Sequence, residues 1–165
     1  MRTRALAYGV LLPVLLAAAA GLAADGPDAA AKAQSTAYTY ATAGAIDIHA
    51  GKNLWHILLD EANLGGREME MAEISLPGGT TVPSHTHKSL EVIYVLSGTY
   101  GHEVNGHYYL LKPGMVGIVR PGDHVRHIVP QGAEARLLII WTPGGELPVD
   151  PSKGTIIPPL SESAG

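Results

Sequence analysis

The chain contains no cysteine. Disulfides are therefore excluded as a source of stability, and thiolates are excluded as metal ligands, so stability must come from the core. A surplus of positive charge is missing too. The 165 residues carry 11 Lys plus Arg against 15 Asp plus Glu, a formal net charge of −4, which argues against nucleic acid or an anionic membrane surface as a partner. The chain also lacks a clean membrane-spanning run: the apolar stretch from Ala5 to Ala20 is interrupted by Pro13 and is short for a spanning helix. No convincing amphipathic helix is found anywhere.

What stands at the N-terminus fits a segment that is removed. Arg2 and Arg4 precede the apolar run, and the small residues Gly21, Ala23 and Ala24 follow it, the three-part pattern of a secretory signal peptide. Residues 1–24 are read as that signal, with cleavage after Ala23 or Ala24 and export to the periplasm or beyond the cell; a membrane anchor is the alternative. Without a cysteine, lipoprotein anchoring is ruled out. Cleavage takes two Arg and no acid, leaving nine Lys plus Arg against fifteen acids, a net charge of −6. Residues 25–45 are rich in Ala, Ser, Thr and Gly with no sustained apolar period, and read as a flexible leader.

From Ile46 onward the pattern is that of short strands. Ile46–Ile48, Trp55–Asp60 and Met69–Leu76 come first, with Leu64–Arg67 as a turn. Thr99–Val104 and His107–Leu111 flank Asn105-Gly106, a strong hairpin signal because the type I′ turn needs positive φ at both central residues. Val116–Val119 and His127–Val129 follow, and the continuous apolar run Arg136–Trp141 suggests a strand buried on both faces. Short strands spaced by Gly and Pro turns indicate an all-β sandwich or barrel over residues 46–141. Residues 142–165, with Pro at 143, 148, 151, 158 and 159, read as a Pro/Gly-rich tail that could wrap the barrel or a second subunit.

Folding does not account for the polar residues between Gly79 and Gly98. His85 and His87 are two apart, so on an extended strand both imidazoles leave one face, about 7 Å apart along the chain. Glu91 has the same parity and can converge with them if the chain bends at Lys88-Ser89. Such a set suits one divalent transition metal, Fe, Mn, Ni, Zn or Cu, and leaves coordination positions open. A bare His-x-His is more often a hydrogen-bonded or solvated pair; the wider spacing changes that weighting. Gly79, His85, His87, Glu91 and Gly98 meet every position of the first motif of the cupin superfamily, which this stretch resembles.

The resemblance implies a single-domain cupin jelly-roll β-barrel with His85, His87 and Glu91 as metal ligands. The family's second motif is met less well. Anchoring on Gly114 and Gly122 puts Val125 where a ligand histidine is usual, with His124 and His127 on either side. Reading backward from the last strand, Gln131 and Leu137 take the family's spacing from His127, so His127 is the candidate fourth ligand and His124 the alternative. Residues three apart on a strand face opposite sides, so only one of the two can point inward. His49, His56 and His107 read as structural or exposed, His102 as a residue near the interior with a pocket role open to it, Tyr94, Tyr100, Tyr108 and Tyr109 as packing. Arg120 and Arg126 could hold an anionic substrate.

Likeness to the quercetin dioxygenase-like members implies a metal-dependent oxidoreductase of dioxygenase type acting on a small molecule, with Glu91 also a base. A non-redox lyase, isomerase or decarboxylase, and a cupin that binds ligand or metal without turnover, remain open beside it. The strand Val92–Leu96 has apolar residues at both parities, so a homodimer or an arm of the same chain should cover its outer face.

Overall fold

The computed structural model describes residues 41–161. The segment read as a signal, and residues 25–40 of the leader, lie outside the described residues. Eleven strands form, β1 (Ile46–Ala50), β2 (Asn53–Leu59), β3 (Glu70–Pro77), β4 (Thr81–Thr86), β5 (Leu90–Gly98), β6 (Tyr100–Val104), β7 (His107–Leu111), β8 (Val116–Val119), β9 (His124–Ile128), β10 (Glu134–Thr142) and β11 (Thr155–Ile156). One four-residue helix, α1 (Glu61–Leu64), forms just before the turn read at Leu64–Arg67 and ends where that turn begins. Asp60 caps it and Gly65, in the left-handed region, ends it. Among the described residues no helix is long and apolar enough to cross a membrane.

The fold is a cupin-type jelly roll of two antiparallel sheets, in the orders β11-β1-β2-β3-β10-β5-β8 and β4-β9-β6-β7. Strand pairing does not run continuously round a closed barrel, because the edges β7 and β8 belong to different sheets. Alternation decides which side chains enter the space between the sheets. On β10 the buried set is Ala135, Leu137, Ile139 and Trp141, with Leu138 and Ile140 half-buried and Arg136 exposed. This corrects the reading of that strand as buried on both faces: its outer side is apolar but only partly covered.

Two turns show why glycine stands at the ends of the motif. Gly98 has φ +82°, and a Cβ there would collide with the Glu134 carbonyl oxygen on the neighbouring strand. Gly79 has φ +84° and donates its N–H to the Val129 carbonyl at 2.9 Å. Both positions need the conformational freedom of a residue without Cβ. Replacing Gly98 by Ala is expected to destabilise the protein by at least about 2 kcal/mol, since left-handed strain and a backbone collision add. A urea midpoint within experimental error of the parent would contradict that. The Asn105-Gly106 turn has φ 50° and 81°, as a type I′ hairpin requires.

The segment read as a tail folds back on the body. Gly144 donates its N–H to the Arg67 carbonyl at 2.9 Å, Leu147 and Val149 pack against the core, and β11 pairs with β1. Ala45 does the same from the other end, with its N–H on Ile57 and its carbonyl accepting from Ile157.

Candidate metal centre

Three strands and one loop deliver the site. β4 carries His85 and ends one residue before His87; β9 carries His127; β5 carries Glu91. The β4–β9 ladder shifts register between Val82 and His85, and Gly122 donates its N–H to the His87 carbonyl at 2.9 Å, which pins the loop to the β8–β9 turn. One ligand atom from each of His85, His87 and His127 lies within 4.8 Å of the others. The Glu91 carboxylate is 3.6 Å from His87 Nε2. His124 is exposed, and β9 alternates so that Val125 and His127 face inward while His124 and Arg126 face out.

Each ring has its Nδ1 engaged. His85 Nδ1 donates to the Pro83 carbonyl at 2.9 Å, because a carbonyl can only accept. His87 Nδ1 donates to Glu146 Oε2 at 3.2 Å. His127 Nδ1 meets the Tyr100 hydroxyl. In a neutral imidazole a protonated Nδ1 leaves a bare lone pair on Nε2, the form a metal takes. The Nε2 atoms of His85 and His87 lie 3.0 Å apart, so two lone pairs face each other. Only a proton or a cation between them makes that approach favourable. Glu91 is 1% exposed and its Oε2 has no hydrogen-bond partner. An orphaned carboxylate oxygen beside converging Nε2 atoms fits a divalent ion of the imidazole- and carboxylate-binding kind.

Electrostatics points the same way. Burial pushes the Glu91 carboxyl up to about 8; its cross-strand neighbour Trp141 opposes the shift and the charge of Glu146 adds to it. Burial lowers the His127 ring to about 3, helped by the positive forms of His85, His102 and His87. The Tyr100 phenol is held well above its ordinary value by burial and by the Glu91 charge. Buried groups that resist taking their own charge leave a place where a cation is the missing component.

Glu146 is the residue that sequence reasoning missed. Besides His87 it accepts from the backbone N–H groups of Lys88 at 2.7 Å and Ser89 at 3.1 Å, and its own N–H and that of Leu147 are held by Glu70 at 2.7 and 3.1 Å. Burial works to raise its carboxyl, but the bonds from His87, Lys88 and Ser89 outweigh this and hold it below the usual range. A single Glu between glycines and a proline carries no spacing signal; only the return of the segment over β3 brings it to His87. Glu146→Gln should weaken metal binding by roughly 10–100-fold, the cost that goes with an outer-shell carboxylate. Competition against a chelator measures it, and unchanged affinity would show that the carboxylate does not orient the ring.

Residues 72–141 match the family model described as a cupin domain. The fold is shared with an RmlC-like cupin from Shewanella frigidimarina at 21% identity and TM-score 0.54, covering 66% of this chain and 92% of that one. KdgF from Halomonas sp. matches at 13% identity and TM-score 0.53, covering 61% and 87%, and a predicted oxalate decarboxylase from Thermotoga maritima at 20% and 0.53, covering 61% and 93%. No curated protein matches. Family match and shared fold together support the cupin superfamily; identities this low speak to the fold alone.

Proposed function

We propose that this cupin-fold chain holds one divalent transition-metal ion through His85, His87, His127 and Glu91, and that it is a metal-dependent oxidoreductase of dioxygenase type acting on a small organic molecule. The observation that carries the reading is the tautomer of two rings: Pro83 and Glu146 each accept from an Nδ1, so the Nε2 lone pairs of His85 and His87 converge beside the His127 ring and the orphaned Glu91 oxygen. The ion would supply Lewis acidity and open coordination positions. The chain supplies the rest. Trp141, buried at the register position of Glu91, shuts water from that side of the carboxylate. Without an ion, burial raises the Glu91 carboxyl to about 8; with the ion bound, an Oε2 left free of it would be placed to accept a proton from a bound molecule.

Oxygen uptake by the Fe(II)-loaded protein, offered small enols and carboxylates, tests this reading, with Glu91→Gln as control. Uptake that requires Fe(II) and falls in the variant supports it. Turnover without oxygen, equal with Zn(II) or Mn(II), would instead favour a lyase, isomerase or decarboxylase, a second reading that the same proton-accepting Glu91 supports. Metal retained with no turnover would leave a binding cupin.

Export to the periplasm or outside the cell is proposed on the pattern of residues 1–24, and the net charge of −6 after their removal supports a small-molecule partner over nucleic acid. A homodimer is proposed across the outer face of β5 and β8. Tyr94, Val116 and Ile118 are exposed there, and Tyr94 and Val116 are cross-strand neighbours.

A further inference from the structure

We propose that the cleft between the β7 and β8 edges binds a small organic carboxylate, its charge on Arg120 and its apolar body between Tyr109 and β8, against the ring of His102. This deepens the function proposed above, since it names the class of molecule that the metal centre would serve.

The cleft exists because the two sheets end out of step. On β7, Tyr109 lies opposite His102 and Leu111 opposite Tyr100, so both point to the inner face. Leu111 is buried there, yet Tyr109 is 56% exposed. An inward position left this open means the opposing sheet does not reach it. The strand across the gap, β8, presents Gly117, where a Cβ would come within 2.9 Å of His102 Nε2. The resulting cavity has a volume of about 380 Å³, within the range of small-molecule sites. It lies beside the three-histidine cluster, not over it, and its lining reaches His102.

His102 is the group that folding does not explain. It is 3% exposed, and neither ring nitrogen reaches a partner in full hydrogen-bonding geometry, the Ile118 backbone being the polar group close enough to act on the ring. Burying such a group unpaired costs about 1–3 kcal/mol, which an apolar side chain would avoid. Its ring lies 6.5 Å from that of His127, nearly parallel, and the two residues are directly paired in the β6–β9 ladder. Its Nε2 already faces β8 at Gly117, so a hydrogen-bonding atom lies toward the cleft without backbone movement.

Charge selects the ligand. Among the described residues Arg126 pairs with Glu103 at 2.9 Å and Arg136 with Glu73 at 2.5 Å, whereas Arg120 forms no ion pair. Asp123 shares the rim, but Oδ1 accepts from Asn105 Nδ2 at 2.8 Å and Oδ2 from the Arg120 backbone N–H at 2.9 Å. Its oxygens are engaged by these donors and its charge acts on Arg120 without forming an ion pair, so the guanidinium keeps a fork of donors that suits a carboxylate. Val104 and Leu111 make the walls apolar.

The test is a titration of the Zn(II)-loaded and metal-stripped protein with benzoate and its neutral isostere benzamide, read by the ring carbon–proton resonances of His102. Benzoate should shift them saturably in both forms. Arg120→Gln should weaken benzoate at least about tenfold, the loss of one charge-assisted contact, and Tyr109→Ala should weaken both probes. Metal content measured on the same samples should stay the same, so a failed cleft and a failed metal site are told apart. No saturable shift, equal binding of the two probes, or benzoate binding that needs the ion and ignores both variants would overturn the proposal; in the last case the carboxylate sits on the metal.

Discussion

Raising the pH from 6.5 to 8 is expected to destabilise the metal-free protein while leaving the loaded protein almost unaffected. The folded-state pKa of Glu91 is about 8 against an ordinary 4.5, so between these two values the native state binds more protons than the unfolded state and stability falls as pH rises. Its contribution is intact below 4.5 and lost by 8, roughly 3–5 kcal/mol across that span for a carboxyl so deeply buried. His127 has the opposite sign. Its pKa is lowered from 6.5 to about 3, so its contribution is intact above 6.5 and lost as pH falls toward 3. The two slopes oppose each other between 4.5 and 6.5, where the metal-free protein should be most stable. An ion at the site favours the carboxylate, which removes the alkaline slope and releases about one proton from Glu91 at pH 7; it also favours the neutral His127 ring, so the loss on acidification remains. Urea midpoints across pH with and without chelator measure this. Glu91→Gln should abolish the alkaline slope and make the metal-free protein more stable at pH 8, and a slope that survives in the variant would contradict the assignment.

The second large effect is the loss of metal on replacing His127. His127→Ala removes one of the three clustered ring nitrogens, and affinity should fall on the order of a thousandfold or more, beyond the 10–100-fold typical of outer partners. His124→Ala should leave affinity unchanged, because that ring is exposed on the opposite side of β9. Chelator competition on the two variants separates them. Metal lost from His124→Ala and kept in His127→Ala would reverse the choice of ligand.

Much of the fold could be read because local chemistry and global structure agree. Asn105-Gly106 dictates a tight hairpin wherever it stands, and the Gly and Pro turns leave room only for short strands. The spacing from Gly79 to Gly98 was legible because it reports a backbone shape: two glycines in conformations other residues resist, with His85 on the strand between and His87 in the loop that follows it. His127 needed parity as well as spacing. What could not be read depends on partners distant in sequence. β11 is two residues long and exists only because β1 has an unpaired edge. Glu146 is 59 residues from His87, and nothing local marks it. The half-covered outer side of β10 depends on what lies over the sheet, which an apolar run does not reveal. The open edge between β7 and β8 likewise follows from how the two sheets end, which no single strand encodes.

The central claim is that three imidazoles and one carboxylate hold a single divalent ion. X-ray absorption on the reconstituted protein, with elemental analysis of the same sample, tests it most directly. The expected result is one ion per chain with three imidazole nitrogens in its first shell, one of them lost in each of His85→Ala, His87→Ala and His127→Ala. No uptake after reconstitution, or an ion whose imidazole count is the same in all three variants, would contradict it.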